Sequence, residues 1–408
     1  MRSGFHSAAA RTPSCFRRIT RSIALPLAAS IASCVIPLST TPLDGGMTGG
    51  SGESGIDLTG EGGIDVTIPT GAWMNVTGDL MNMPADCGGL TLVWAKPNED
   101  LVIAGVSNVG LYGSVTGGPW SALGDLEDGA ATINNRPTWI VSDPASPMTF
   151  WESGSYGGCV FKTTDDGQSF VQLGSAGHCD VVSIDFNDPM RQTLVAGAHE
   201  SPQVLYLSSD GGMTWNNIGA GLPDVFCNEP LVLGPTSYLV GCQFGQMGQV
   251  WGTTDSGTTW QMVTSIAGIG PPLVAADQSI YWMGYDGSVA HSPDFASSED
   301  STGWTTVSPS GTLDPGGRLI QLPAPDGRLA AENGSYVVVS DGQGATLTWT
   351  PVTSHVPQTP TETLGGITYS AQRKSIYIWH STCENSINSS TTVADDAVMA
   401  YPFDYETE

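Results

Sequence analysis

Short apolar runs separated by polar turns predict the secondary structure of this chain. In residues 180–218, such runs occur near Val181–Phe186, Gln192–Ala196 and Val204–Ser208. The first two are joined by Asn187-Asp188-Pro189, and a fourth strand is expected from Trp215. Runs of this length, bounded by Gly, Pro, Asn and Asp, are typical of β-strands joined by tight turns. The pattern predicts a four-stranded antiparallel unit.

The same unit recurs along the chain. Aromatic residues mark its last strand at steps of 47, 50, 45, 45, 44 and 45 residues. They are Trp73, Trp120, Phe170, Trp215, Trp260, Trp304 and Trp349. A period of about 40–45 residues with four strands per repeat is the signature of a β-propeller. The predicted fold is therefore all-β, with four-stranded antiparallel blades around a central channel.

Counting the periods predicts seven blades. The predicted spans are 91–123, 137–174, 180–218, 228–264, 271–308, 316–352 and 363–405. The last span has strands near 366–370, 375–379 and 398–403 but no clear aromatic fourth strand, whereas Trp73 lies one period ahead of Trp120. We expect the strand that carries Trp73 to complete the seventh blade and close the ring, because closure removes two open sheet edges.

Three repeats share a sharper motif between their last two strands, Ser/Thr-x-Asp-x-Gly-x-Ser/Thr followed by an aromatic residue. In this turn, Asp accepts hydrogen bonds from nearby backbone N–H groups and Gly supplies a positive φ. The defining residues are Asp165, Gly167 and Phe170, then Asp210, Gly212 and Trp215, then Asp255, Gly257 and Trp260. The motif resembles the Asp-box, or BNR repeat, of sialidase-like and sortilin-like β-propellers. The Asp-box is a structural device and assigns no chemistry.

The resemblance implies several functions. Sialidases hold the substrate carboxylate with three arginines, because a guanidinium binds a carboxylate in bidentate fashion. Only Arg136 and Arg318 are expected on the face where the repeat loops converge, so sialidase activity is not expected. Xyloglucan-cleaving hydrolases also use Asp-box propellers, but they pair two of them around a cleft. Sorting receptors and photosystem assembly factors with Asp-box propellers bind without catalysis.

The N-terminal region carries an export signal. Arg11, Arg17, Arg18 and Arg21 precede a short apolar run, which ends in Ile31-Ala32-Ser33-Cys34. This ending resembles a bacterial lipobox, which implies cleavage of residues 1–33 and lipidation of Cys34. The alternative is an ordinary signal peptide with a chance cysteine. Residues 34–70 are rich in Gly, Ser and Thr and predict a flexible tether ahead of the propeller domain at 71–408. The expected location is the bacterial cell envelope, facing the periplasm or the exterior.

The charge excludes some partners. All 40 acidic residues follow Cys34, but only eight of the 13 basic residues do, so the chain from Cys34 onward has a net charge of −32. Such a field disfavours nucleic acid and anionic membrane surfaces. We expect a monomer that contacts membrane only through a lipid at Cys34.

Six cysteines follow Cys34, and the blade order places all of them in loops of one face, called here the upper face. This face carries the turns between the second and third strands and the connections between blades. An exported chain with an even number of cysteines predicts disulfides. Pairing neighbouring loops predicts Cys87–Cys383, Cys159–Cys179 and Cys227–Cys242.

The candidate site residues also lie in upper-face loops. Catalytic candidates are Glu200, Asp286 and Glu332, because glycoside hydrolysis needs two carboxyl groups. Binding candidates are Tyr156, His199, Glu200, Phe244, Tyr285, Asp286, Glu332 and His380. A divalent metal at His199, Glu200 and His380 is disfavoured because these residues lack short ligand spacing. No cofactor is expected, and nothing in the sequence supports a structural or bridging Ca2+.

The sequence favours a binding protein over an enzyme. We expect an exported, lipid-anchored propeller whose disulfide-linked upper face recognises a protein or a glycan. The alternative is a divergent glycoside hydrolase that uses upper-face carboxyl groups. A fold alone does not decide between these functions.

Overall fold

Seven four-stranded antiparallel sheets form the fold, as predicted, in a computed structural model. Six sheets take their strands in chain order, and the seventh combines the first strand of the chain with the last three. The structure describes residues 71–83, 89–124, 133–245, 247–314, 318–342, 346–357, 363–381 and 396–406.

The first four blades are regular antiparallel meanders. Blade 1 comprises β2 (Leu90–Ala95), β3 (Leu101–Val106), β4 (Gly110–Val115) and β5 (Ser121–Ala122). Blade 2 comprises β6 (Arg136–Ser142), β7 (Phe150–Ser155), β8 (Val160–Thr163) and β9 (Val171–Gln172). Blade 3 comprises β10 (Cys179–Ile184), β11 (Leu194–Ala198), β12 (Leu205–Ser208) and β13 (Asn216–Asn217). Blade 4 comprises β14 (Phe226–Val232), β15 (Tyr238–Phe244), β16 (Met247–Thr253) and β17 (Gln261–Thr264).

The remaining blades include an insertion and the closure of the ring. Blade 5 comprises β18 (Ile269–Val274), β19 (Ile280–Met283), β20 (Val289–Ser292) and β21 (Thr305–Ser308). Blade 6 comprises β22 (Ile320–Gln321), β23 (Leu329–Glu332), β24 (Val337–Ser340) and β25 (Trp349–Pro351). Blade 7 comprises β26 (Thr363–Ser370), β27 (Ser375–Ser381), β28 (Ala397–Pro402) and β1 (Met74–Asn75). Helical segments in the described chain are α1 (Phe295–Ser298) and 3-10 turns at Gly78–Asn82, Gly219–Gly221 and Ser301–Gly303.

The N-terminal strand closes the ring, as predicted. Met74 pairs with Ala400 and Asn75 with Met399 across β1 and β28. The Trp73 ring lies 5.1 Å from the Tyr401 ring, and its indole N–H donates to the Ser354 carbonyl of blade 6. The two ends of the repeat region therefore share one sheet, which leaves no open edge between them.

Backbone hydrogen bonds identify the two faces of the ring. On the upper face, turns between second and third strands bond to the connections between blades, as His199 N–H does to the His178 carbonyl at 2.7 Å. On the lower face, the turns before second strands bond to those before fourth strands, as Gly211 N–H does to the Gln192 carbonyl at 3.0 Å.

The three motif turns have nearly the same hydrogen bonds. In blade 3, the Ser208 hydroxyl accepts from Gly212 N–H at 2.8 Å and donates to the Asp210 carboxylate at 2.8 Å. Asp210 also accepts from Thr214 N–H at 2.9 Å. Gly212 has a φ of +93°, and a Cβ there would meet the side chain of Leu173 in blade 2. The glycine therefore serves both the turn and the close approach of two blades.

The repeated tryptophans join each blade to the one before it. Trp215 donates its indole N–H to the Leu173 carbonyl of blade 2 at 2.9 Å, and Trp260 donates to Ile218 of blade 3 at 3.0 Å. Trp120 does the same to Val76 after β1 at 3.0 Å. Trp304 differs, since it donates to Ser298 within its own insertion. The aromatic period is thus the period of contact between neighbouring blades.

Two predicted disulfides are present. Cys159–Cys179 joins blades 2 and 3, and Cys227–Cys242 joins the first two strands of blade 4. The second pair lies within β14 and β15 rather than in loops, because these strands extend further towards the upper face than expected. Cys34 and the predicted pair Cys87–Cys383 lie outside the described residues. Within the described chain, no helix has the length and apolarity needed to cross a membrane.

Candidate functional site

The first strands of the blades line the central channel, and their upper ends form a cavity of about 370 Å³ over blades 2 to 6. We call it the upper cavity. Each first strand follows an upper-face connection, so its opening residues lie at the upper mouth of the channel. The described residues that line the cavity are Thr138, Asp180, Val181, His199, Glu200, Phe226, Asn228, Glu229, Gln243, Pro271 and Arg318.

Asp180 organises the polar wall of this cavity. One carboxylate oxygen lies 2.8 Å from Nδ1 of His199, and the other accepts from the Asn228 amide at 2.6 Å. The Asp180 carboxylate raises the pKa of His199, because it favours the imidazolium form. These bonds fix side chains from two blades before any ligand arrives, which reduces the entropic cost of binding.

Glu229 contributes a second carboxyl group to the wall of the upper cavity. Burial and the neighbouring Asp180 raise the pKa of Glu229 to about 8, although the Arg318 cation opposes this shift. Its Oε2 has no hydrogen-bond partner in the described structure. The Glu229 carboxyl is therefore mostly neutral at pH 7 and can donate a hydrogen bond to a ligand. The upper cavity is thus lined by a mostly neutral carboxylic acid as well as by Asp180.

Arg318 forms the floor of the upper cavity. Its chain position precedes blade 6, yet its guanidinium crosses the channel and donates to the Thr138 carbonyl of blade 2 at 2.8 Å. The guanidinium carbon lies 5.2 Å from the Trp139 ring centroid and 5.3 Å from that of Trp379. Both distances are within the range of cation–π attraction. The sequence placed Arg318 in an upper-face loop, whereas it lies inside the channel.

Gly366 makes room for this arrangement. It has a φ of +141°, and a Cβ at this position would come within 2.6 Å of Trp379 and 3.0 Å of Arg318. Any larger residue would displace the indole or the arginine from the channel. The backbone of blade 7 therefore positions the side chain from blade 6.

Three predicted site residues come together at the rim of this cavity. The Tyr156 ring, half exposed, meets the His199 ring edge-on at 4.7 Å between centroids. Glu200 is exposed, and its Oε1 lies 3.9 Å from Nε2 of His199. The structure thus groups the candidates from blades 2 and 3, and their binding roles remain predictions.

The other predicted residues do not line the upper cavity. Phe244 packs against the core of blade 4. Hydrogen bonds from the Ser288 hydroxyl and from its N–H, the latter at 3.0 Å, lower the pKa of Asp286 and give it a structural role in the turn that also contains Tyr285. Glu332 and His380 were expected in exposed loops, but Glu332 ends β23, His380 is the penultimate residue of β27, and they are 1% and 3% exposed. β27 runs two residues past its predicted end at 379, which accounts for the burial of His380.

The sequence did not single out Asp180, Asn228, Glu229 or Trp139 as site residues. All belong to first strands, whereas the candidate residues of the sequence were expected in turns of the upper face. A usable signal existed, since Asn228-Glu229 interrupts an otherwise apolar strand and therefore predicts a special environment.

In the described chain, the arginines and the acidic groups form neither a triad of arginines at the upper cavity nor a cluster of metal ligands. Arg191, Arg328 and Arg373 form ion pairs with Asp143, Asp326 and Asp100 on the lower face, so no arginine triad forms at the upper cavity. In the residues that the structure covers, no group of three or more His, Cys, Asp or Glu side chains could hold a metal ion.

Comparison with known proteins finds similarity at the level of solved structures. The chain is similar to YCF48 bound to D1 peptide, with 15% identity and a TM-score of 0.49, over 83% of this chain and 100% of that one. It is similar to YCF48 from Cyanidioschyzon merolae, with 14% identity and a TM-score of 0.48, over 81% and 98%. A GH74 xyloglucanase from Xanthomonas campestris shares 16% identity with a TM-score of 0.47, over 80% of this chain and 54% of that one. No protein-family model and no curated protein matches the sequence.

Proposed function

We propose that this chain is an exported Asp-box propeller, anchored by a lipid at Cys34, that binds a protein or a glycan in its upper cavity without catalysis. The observation that carries the binding role is the preorganised polar wall, in which Asp180 holds His199 and Asn228 from neighbouring strands. The motif turns and their spacing support the Asp-box assignment.

The chemistry of the wall specifies the ligand groups it would take. Asp180 and Glu200 are acceptors, the Phe226 ring lines the same cavity, and the Tyr156 ring contacts His199 at its rim. Carboxylates accept hydrogen bonds from sugar hydroxyl groups or from the ammonium groups of a basic protein, and aromatic rings stack on either. The ligand is therefore expected to present hydrogen-bond donors to the cavity.

A binding screen tests this proposal. The purified protein would be applied to arrays of neutral glycans and of secreted proteins, together with Glu200→Gln and a control, Glu406→Gln. Both side chains are exposed carboxylates, but Glu406 belongs to the lower side of blade 7 and pairs with Lys374. We expect Glu200→Gln to weaken capture about tenfold and the control to leave it unchanged. Equal capture by both variants would exclude the upper cavity as the binding site.

The alternative function is glycoside hydrolysis, and one observation favours it. Glu229 is a mostly neutral acid at pH 7 that lines the same cavity as Asp180, and a carboxyl group held neutral near pH 7 can serve as a general acid. Incubation of the protein with the same glycans should then release reducing sugar. If the parent protein turns over a glycan and Glu229→Gln abolishes this turnover, the protein is a glycoside hydrolase, and the binding proposal is replaced.

A further inference from the structure

Below Arg318 the channel contains a second cavity of about 760 Å³, which we call the lower cavity. Its walls are the first strands of blades 1, 2, 5, 6 and 7, and it extends to the lower-face turns that follow these strands. Arg318 and Pro271 line both cavities, so they separate them. The volume lies within the range of small-molecule sites in proteins.

The wall of the lower cavity is largely apolar and rigid. Trp94, Trp139 and Ile140 contribute from blades 1 and 2, and Pro271 and Pro272 from blade 5. Charged lining residues occur at the far end, near the lower-face turns. There Lys96 pairs with Glu99 and Asp166, and Asp326 pairs with Arg328. Asp277 accepts hydrogen bonds from the Ser279 hydroxyl at 2.6 Å and from its N–H at 3.0 Å, so each of these charged groups already has a partner within the protein.

Arg318 is the exception at the inner end. In the described structure it forms one hydrogen bond, to the Thr138 carbonyl, and no ion pair. A guanidinium has five N–H donors. Burial lowers the pKa of Arg318 to about 10, so it remains a cation at neutral pH. The nearest acidic influence is Glu229, whose own carboxyl is mostly neutral at pH 7 because burial raises its pKa to about 8.

We propose that the lower cavity binds an apolar monocarboxylate, with its carboxylate on Arg318 and its hydrocarbon portion along the first strands. The rings of Trp139 and Trp379 contact the faces of the Arg318 guanidinium. The N–H groups at the edge of the guanidinium therefore remain available to a planar anion such as a carboxylate. Guanidinium–carboxylate hydrogen bonds are charge-assisted and strengthen in a water-poor environment. This site is separate from the upper cavity, so it does not depend on the proposed function.

Calorimetry with octanoate and octan-1-ol tests the proposal on the unmodified protein. The two probes have the same chain length and differ in charge. We expect octanoate to bind about tenfold or more tightly than octanol, because hydrogen bonds to charged groups are the stronger class. We also expect affinity to rise about fourfold per methylene from butanoate to octanoate, from the transfer free energy of a buried methylene. Equal affinity for acid and alcohol, or no binding of either, would overturn the proposal.

Variants locate the site. Arg318→Met should reduce the preference for octanoate to about one while the alcohol still binds. Lys374→Met removes one cation from an exposed lower-face turn and should leave the preference unchanged. A preference that persists in folded Arg318→Met would place the carboxylate elsewhere and refute the assignment. If Arg318→Met does not fold, the probe comparison and the chain-length series on the unmodified protein still decide the question.

Discussion

Asp210 in a lower-face motif turn and Glu229 at the upper end of the channel are carboxyl groups held in opposite ways. The motif aspartates accept hydroxyl and backbone hydrogen bonds, and these bonds lower the pKa of Asp210 to about 2. At the upper end of the channel, burial and Asp180 raise the pKa of Glu229 to about 8. The first arrangement satisfies the motif aspartates and supports the fold. The second leaves polar atoms without partners in a cavity, which is the condition for recognising a ligand.

The largest effect is expected where the repeat closes on itself. Trp73→Ala removes the ring packed on Tyr401 and the hydrogen bond to Ser354, so the free energy of unfolding should fall by about 4 kcal/mol. Met74→Ala is the matched control, because Met74 lies in the same strand and is 49% exposed. Chemical denaturation measures both. A Trp73→Ala protein as stable as the control would mean that β1 does not hold the ring closed.

The protonation of Glu229 gives the upper end of the channel its own pH dependence. An unfolded glutamate ionises near pH 4.5, whereas the folded group keeps its proton until about pH 8. The folded state therefore binds more protons in this window, and stability should fall by about 3 kcal/mol as the pH rises from 5 to 8. Glu229→Gln should remove this slope and stabilise the protein at pH 8. Parallel stability curves for parent and variant would contradict the buried acid.

The disulfide of blade 4 should stabilise the upper face by a comparable amount. Cys227 and Cys242 close a loop with a sequence separation of 15. Replacing both with alanine should lower the free energy of unfolding by about 3 kcal/mol in the chain-entropy model. Reduction with a thiol should remove the stabilisation by this disulfide from the unmodified protein. In the variant, which lacks the disulfide, reduction should cause no further loss of stability at this position. An unchanged denaturation midpoint would show that this pair contributes nothing to stability.

The smallest change in the free energy of unfolding is expected for substitutions in the lower-face motif turns, and it tests whether these turns are equivalent. The buried hydroxyl of Thr163 accepts from Gly167 N–H at 2.9 Å, and Thr253 does the same for Gly257 at 3.0 Å. Either Thr→Val substitution leaves that N–H without its acceptor and should cost about 1–2 kcal/mol. Similar losses in both turns would support a repeated structural role. A loss confined to one turn would mean that the motif is not equivalent between blades.

The sequence predicted the repeated features well and the unique ones poorly. Seven aromatics at even spacing specified the blades, because most of the tryptophans serve the same contact between neighbouring sheets, as Trp120, Trp215 and Trp260 do. The motif glycines specified the turns, since few other residues adopt that backbone. His199, Glu200 and Tyr156 were also expected on the upper face, where the structure groups them.

The remainder of the site depends on geometry that no local pattern encodes. Arg318 reaches Thr138, 180 residues away, across the channel. Glu229 and Asp180 become neighbours only when blades 3 and 4 pack together. Glu332 and His380 were assigned to loops, but strand ends that extend by a residue or two bury them. Sequence periodicity predicts where a strand lies, whereas the residue at which the strand ends decides which side chains are buried and which reach the cavity.

The central claim is that the Glu229 carboxyl at the upper cavity is kept neutral while the Asp210 carboxyl of a lower-face motif turn is kept ionised. Carbon-13 NMR titration of the carboxyl groups tests it directly, with Glu229→Gln and Asp210→Asn to assign the two signals. We predict a Glu229 midpoint near pH 8 and an Asp210 midpoint near pH 2. Midpoints for both groups near pH 4 would contradict the account, because the two faces would then hold chemically equivalent acids.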